Sequence, residues 1–281
     1  MKKYLLLSLA AVALSAPAAT TINAANKYAW GANIGWMDWR GDTNNGAVVG
    51  EYVCSGYLYS ANVGWISLGG GSPTNGIHYQ NLSANDFGVN HDGLGNLRGF
   101  AYGANIGWIN FETNGAAKVD LLTGRLSGYA WGANCGWISL SNASAYVQTD
   151  TILQGALAPN GIPIAWLAAN FGTTNINANA DADGDGVSNL QEYLAGTNPN
   201  DPNDRLRITA ITRGTLPSTF TTLDWTSVPT RFYAIQRRPK LESGAWEDLV
   251  VFPFAGANNA GFNDSATNEF FRIRAFRPLT P

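Results

Sequence analysis

The chain has 281 residues, with 17 basic side chains against 20 acidic ones, and only 13% of its residues are charged. A net charge of −3 argues against nucleic acid or an anionic membrane as the main partner. With two histidines and no nucleophile elbow, zinc signature or phosphate loop, the sequence offers little for catalysis.

Lys2 and Lys3, the apolar stretch from Tyr4 to Leu14 and the small-x-small tripeptide Ala16-Pro17-Ala18 read as an export signal over residues 1–18. No later stretch reaches transmembrane length. Removing the signal takes the net charge from −3 to −5. The expected location is therefore extracellular or periplasmic. In that setting the two cysteines, Cys54 and Cys135, predict a disulfide. Closing a loop of 81 residues would be worth about 4 kcal/mol. Two buried free thiols are the alternative.

Residues 19–145 carry one phrase four times: Tyr28 to Trp36, Tyr57 to Trp65, Phe100 to Trp108 and Tyr129 to Trp137. The closing tryptophans are 29, 43 and 29 residues apart, so two long units, each holding two copies, are offset by 72 residues. Each copy reads as a β-hairpin turning at an Ala-Asn-x-Gly tetrapeptide, and Asn33, Asn62, Asn105 and Asn134 are expected to serve as left-handed turn residues. Further short strands are expected at Val89–His91 and Lys118–Asp120. Four propeller blades would need about 40 residues each, which the two short spacings do not supply. A compact antiparallel barrel or sandwich with internal two-fold symmetry is expected instead.

The twelve repeated aromatic residues have two readings. They fill the core, or they form an exposed surface that stacks on sugar rings. Trp36, Trp65, Trp108 and Trp137 are the candidate ligand-binding residues on the second reading, with Trp39 as one more. Asp38, Asp42, Glu51, Glu112 and Asp120 are the carboxylates from which a glycosidase pair would have to come.

Residues 146–160 read as a polar, alanine-rich linker, and 161–204 as a helix, a loop and a second helix. Pro163 opens the first helix, in which Ile164, Leu167, Ala168 and Phe171 recur at helical spacing. The loop is an EF-hand-type calcium site counted from Asp181. Side-chain oxygens come from Asp181, Asp183, Asp185, Asn189 and Glu192 at positions 1, 3, 5, 9 and 12, a backbone carbonyl from Val187 at 7, and Gly186 makes the sharp turn at 6. Ser188 and Gln191 form a capping box for the second helix, with Val187, Leu190 and Leu194 as its apolar face; Gly196 and Pro199 end it. Asn198, Asn200, Asp201 and Asp204 are weaker candidates for a second ion.

The run from Asp181 to Pro202, with Gly161-Ile162-Pro163 and Trp166 before it, resembles the dockerin-like or thrombospondin type 3-like calcium segments of secreted bacterial multidomain proteins. The resemblance covers about residues 158–204 and implies a Ca²⁺-braced helical segment. A dockerin pairs two loops to bind a cohesin. Here the earlier loop has lost its aspartates, only Asn160 standing in it, so that partner is not implied.

Residues 205–281 read as short alternating strands at Leu206–Thr212, Leu223–Trp225, Tyr233–Arg237, Trp246–Leu249 and Phe270–Phe276. The pattern is similar to a fibronectin type III-like or immunoglobulin-like sandwich. Arg237, Arg238, Lys240, Arg272 and Arg274 make either a solvated face or a basic strip. The whole chain is thus expected to be mainly β. Its expected function is a secreted, calcium-stabilised, non-catalytic binding or adhesion protein for a glycan or cell-surface polymer. A structural matrix component and a polysaccharide-active enzyme are the alternatives.

Overall fold

In the computed structural model, the described residues are 20–214, 220–240, 244–252, 256–263 and 270–280. The expected export signal lies outside them. In chain order the elements are β1 (Ile22–Gly31), β2 (Gly35–Asp38), β3 (Val48–Val49), β4 (Cys54–Ser55), β5 (Tyr57–Ser60), β6 (Gly64–Ser67), β7 (Val89–His91), β8 (Leu97–Gly103), β9 (Gly107–Asn110), β10 (Lys118–Val119), β11 (Leu126–Ser127), β12 (Tyr129–Gly132), β13 (Gly136–Ser139) and β14 (Val147–Thr149). Helices α1 (Ile164–Phe171) and α2 (Asn189–Ala195) follow. Then come β15 (Ile208–Arg213), β16 (Phe220–Trp225), β17 (Phe232–Arg238), β18 (Glu247–Val251), β19 (Asn259–Asn263) and β20 (Phe270–Phe276). The protein is mainly β, as its sequence implied.

The four repeat phrases are four hairpins, β1–β2, β5–β6, β8–β9 and β12–β13, joined edge to edge. Pairing of Trp30 with Ser139 and Gly31 with Ile138 closes them into an eight-stranded antiparallel barrel without a free edge. The register is the same in each, so Ala29 faces Met37, Leu58 faces Ile66, Ala101 faces Ile109 and Ala130 faces Ile138. These eight side chains point inward and none is more than 3% exposed. A barrel of this strand number has an interior just wide enough for side chains, and alternating small and large aliphatics fill it.

At each hairpin turn the left-handed residue is glycine, with φ of 75° at Gly35, 80° at Gly64, 74° at Gly107 and 72° at Gly136. The four asparagines, expected to take that role, have another. Each donates its side-chain N–H to a backbone carbonyl of the neighbouring turn: Asn33 to Cys135 (3.3 Å), Asn62 to Ile34 (3.0 Å), Asn105 to Val63 (3.1 Å) and Asn134 to Ile106 (3.1 Å). The four bonds form a cycle around one end of the barrel. There, Ile34, Ile106 and Cys135 are buried as apolar plugs, with Val63 partly buried.

The two-fold expectation survives in the arms below the hairpins. The ribbon β3–β4 follows the first hairpin and β10–β11 follows the third. This repeat explains the cysteines. Cys54 occupies the position that Leu126 holds 72 residues on, and Cys135 the one that Ile34 and Ile106 hold in other turns. Both are buried at 1% exposure and both are free thiols, so the expected Cys54–Cys135 disulfide is not formed. Each cysteine acts as a small hydrophobe in its own part of the core.

The segment expected to be a linker, 146–160, is built into the barrel's base. Val147–Thr149 pairs with β1, and Ile152 lies in the barrel core. Residues 158–193 form a second small core of Ala158, Ile162, Trp166, Leu167, Ala178 and Tyr193. The C-terminal module is a sandwich of two three-stranded sheets, β15–β16–β19 and β18–β17–β20, closed over Leu223, Trp225, Tyr233, Ile235, Phe252 and Phe262. Strand β19, absent from the sequence reading, completes the first sheet.

Candidate calcium centre and aromatic surface

The loop expected to hold calcium is shaped by backbone bonds to its own carboxylates. Asp181 accepts N–H groups from Gly184 (2.7 Å), Asp185 (3.2 Å) and Gly186 (2.8 Å), and Asp185 accepts that of Val187 (2.7 Å). One carboxylate oxygen from each of Asp181, Asp183 and Asp185 lies within 4.8 Å of the others. Ser188 caps α2 as expected, its hydroxyl accepting from the Gln191 N–H while the Gln191 side chain accepts from the Ser188 N–H.

Helix α2 buries only part of the face expected of it, Leu190 packing against the small core. Leu194 is 45% exposed, whereas Asn189 and Glu192 are 1% and 0% exposed. Burying an amide and a carboxylate is costly unless each is satisfied. Yet Asp183 Oδ2, Asp185 Oδ2, Asn189 Oδ1 and Glu192 Oε2 are buried and meet no hydrogen-bond donor in the protein. These are loop positions 3, 5, 9 and 12. Four orphaned oxygens at the ligand positions are the donor set a hard cation takes, at roughly 2.3–2.6 Å each. Burial and the nearby Asp183 and Asp185 charges push the Glu192 carboxyl up to about 7. Burial also raises Asp183, while the Gly186 N–H and its neighbours hold Asp181 low. The chain's own cation here is Arg205, which the sequence did not single out; it donates to the Asp185 carbonyl at 2.8 Å and lies 3.8 Å from Asp185 Oδ2, an ion pair too long for a hydrogen bond, so that oxygen is the least isolated of the four. The suggested second site has no such signature. Asn198, Asp201 and Asp204 spend side-chain oxygens on backbone N–H groups of Asn200, Asn203 and Asn198.

The last turn of α2 leads into a junction of all three modules. Tyr193, next to Glu192, is 1% exposed, and its hydroxyl donates to Glu51 of the barrel at 3.0 Å. Arg231 of the C-terminal module donates to the carbonyls of Tyr193 (2.7 Å) and Leu194 (3.0 Å), satisfying the open end of the helix. It also sits 3.6 Å from Glu51, and Arg277 sits 3.5 Å from the same carboxylate.

On the barrel the repeat aromatics point outward. Of the twelve, eleven are 37–50% exposed, among them Trp36 (46%), Trp65 (47%), Trp108 (45%) and Trp137 (50%); Phe100 is half-buried. They form a belt of four triads around the outer wall, with Tyr28, Trp30 and Trp36 as the first. Trp39 is not part of this belt. It is 2% exposed and packs edge-on against Phe111 at 6.5 Å, because it stands three residues after its hairpin tryptophan, where Leu68, Phe111 and Leu140 stand in the other copies.

No known family, curated protein or solved structure matches the chain.

The acids considered for catalysis each have a structural partner. Asp38 pairs with Lys27 at 2.6 Å, Asp42 accepts N–H groups from Asn44 and Asn45, Glu51 serves the junction, Glu112 accepts the Gly99 N–H, and Asp120 accepts from Leu122 and Thr123. The arginines of the C-terminal strip are likewise engaged. Arg237 and Arg274 lie 3.9 and 3.1 Å from Glu247 and Asp248, and Arg272 covers Trp246 at 4.4 Å. That strip reads as a solvated, charge-balanced face.

Proposed function

We propose that the protein is a secreted, calcium-stabilised, non-catalytic binding protein whose barrel wall takes a glycan or a cell-surface polysaccharide. The observation that carries this reading is the aromatic belt. Indole and phenol rings left at 37–50% exposure forgo burial that they would otherwise gain, and a contiguous exposed apolar surface marks an interaction site. Rings set on short, hydrogen-bonded strands make a rigid platform for the C–H faces of sugars, and rigidity lowers the entropy lost on binding.

Calcium has a bracing role in this reading. Residues 158–204 act as a dockerin-like or thrombospondin type 3-like segment holding one ion at Asp181, Asp183, Asp185, Asn189 and Glu192 and at the carbonyl of Val187. Because Glu192 and Tyr193 are adjacent, an ion at the loop also fixes the turn that joins the barrel to the fibronectin type III-like C-terminal module. Export to a calcium-rich setting fits such a constitutive site.

Affinity electrophoresis of the chain without residues 1–18, in gels cast with hydroxyethyl cellulose, glucomannan or glycol chitin, tests the proposal. Retardation by at least one polysaccharide is expected with calcium present. Unchanged mobility in all of them overturns it and favours a matrix component that binds only copies of itself.

A further inference from the structure

The four triads are not equivalent. In three hairpins the cross-strand rings close on one another: Trp30 and Trp36 at 4.7 Å, Tyr59 and Trp65 at 4.9 Å, Tyr102 and Trp108 at 4.8 Å. In the fourth, Trp137 keeps its edge contact with Tyr129 at 6.1 Å, but Trp131, in the same register, does not close on it. A cleft of about 280 Å³ opens beside them, lined also by Asn110, Glu112, Asn114 and Gly115.

The polar lining is specific to this boundary. Trp131 lies opposite Asn110 across the β12–β9 pairing. At the other three hairpin boundaries the ring lies opposite Asp38, Ser67 or Ser139. Asp38 is already paired with Lys27, and Ser139 donates to the Ser141 carbonyl. Asn110 uses its Oδ1 to accept the Glu112 N–H, which leaves both Nδ2 donors open to the cleft. Glu112 is fixed by accepting the Gly99 N–H at 2.7 Å through one oxygen, leaving the other as an acceptor. The cleft thus joins two flat apolar walls to fixed donors and acceptors, with a carboxylate and no cation among its lining residues.

The geometry points to a subsite for one uncharged pyranose unit of a glycan in the cleft beside Trp131 and Trp137, with Asn110, Glu112 and Asn114 bonding its hydroxyls. This deepens the glycan-binding reading above and rests on it. Ring faces carry negative charge and attract the sugar's C–H groups, the polar groups set its orientation, and Glu112 repels uronic acids. The third triad also borders a cleft, of about 420 Å³ beside Phe100 and Trp108, but Leu82, Ala84 and Phe87 line much of it and no charged residue does, so it lacks the fixed carboxylate of the fourth.

Calorimetric titration of the chain without residues 1–18, in calcium, with cellohexaose, mannohexaose, chitohexaose and hexagalacturonate tests this. Trp131→Ala and Trp137→Ala are each expected to weaken binding of the preferred neutral hexaose at least tenfold. Asn114→Ala should weaken it severalfold, Trp36→Ala less than twofold, and hexagalacturonate should bind at least tenfold more weakly. Trp131→Phe and Trp137→Phe, with unchanged melting curves, separate loss of the cleft from loss of the fold. If Trp36→Ala costs as much as Trp137→Ala, or hexagalacturonate binds best, the subsite is wrong while the aromatic wall remains a binding surface. If the unaltered chain binds none of the four sugars although it is retarded by a polysaccharide gel, the subsite alone falls. Failure in both assays overturns the glycan reading itself.

Discussion

The barrel and the C-terminal sandwich use the same alternation of strand residues and the same large rings, but with opposite sense. In the sandwich, Trp225, Tyr233 and Phe252 point into the core at 3%, 1% and 8% exposure; in the barrel, the hairpin tryptophans stand outside at 37–50%. Architecture makes the difference. Two open sheets leave an interior about 10 Å thick that rings fill well. Four hairpins with return strands of four residues, closed into an eight-stranded barrel, leave room between the paired strands only for Ala, Ile, Leu and Met, with Trp39 and Phe111 buried just beyond the strand ends, so the wide positions of the hairpins face out. A ring in a β-strand is therefore evidence of core only once the shape of the sheet is known.

Substitutions break or sharpen that contrast. Trp225→Ala is expected to cost about 3–5 kcal/mol in chemical denaturation, as for other large buried rings. Trp36→Ala should cost under about 1 kcal/mol by the same measurement, since it leaves no cavity. Equal losses at the two sites would erase the distinction. At the junction between the two modules, Arg231→Ala removes a buried partner of Glu51 and uncaps α2. A loss of about 3–5 kcal/mol is expected, with the segments around residues 51 and 193 gaining hydrogen exchange together. On the proposed reading, calcium would act on the same junction. At a hundredfold excess over its dissociation constant, the ion should add about 2.7 kcal/mol, read as a higher melting temperature that EDTA reverses. Glu192→Gln should abolish that shift while leaving the metal-free protein folded, because burial and the nearby Asp183 and Asp185 already disfavour the Glu192 charge when no ion is bound. The smallest effect is in the turn ring. Asn62→Ala should cost about 1 kcal/mol for one lost hydrogen bond, observed as a lower denaturation midpoint with an unchanged slope.

Much of this was legible in the sequence. The four phrases gave four hairpins because Gly35, Gly64, Gly107 and Gly136 can turn left-handed where other residues cannot. The cluster of Asp181, Asp183 and Asp185 was legible because a cation site needs oxygens at fixed spacing. The repeat also held the signals for Trp39, Cys54 and Cys135, whose equivalents in other copies are buried aliphatics or Phe111. Comparing copies position by position would have placed all three in the core. Two features had no local signal. The outward direction of the rings depends on barrel closure between β1 and β13, a property of the whole sheet. The junction joins Glu51, Tyr193, Arg231 and Arg277, which are remote in sequence and meet only when three modules pack. On α2 the apolar spacing was only half right: Leu190 packs on the small core and Leu194 stays exposed, while Asn189 and Glu192, expected as ligands, turn inward.

Hydroxyl-radical footprinting of the tryptophans, read by mass spectrometry with and without a retarding polysaccharide, tests the central claim most directly. The account predicts fast oxidation of Trp36, Trp65, Trp108 and Trp137, protection of Trp39 and Trp225, and slowing at Trp131 and Trp137 above all when polysaccharide is added. Slow oxidation of the hairpin tryptophans in the free protein, or polysaccharide that shields none of them, would contradict it.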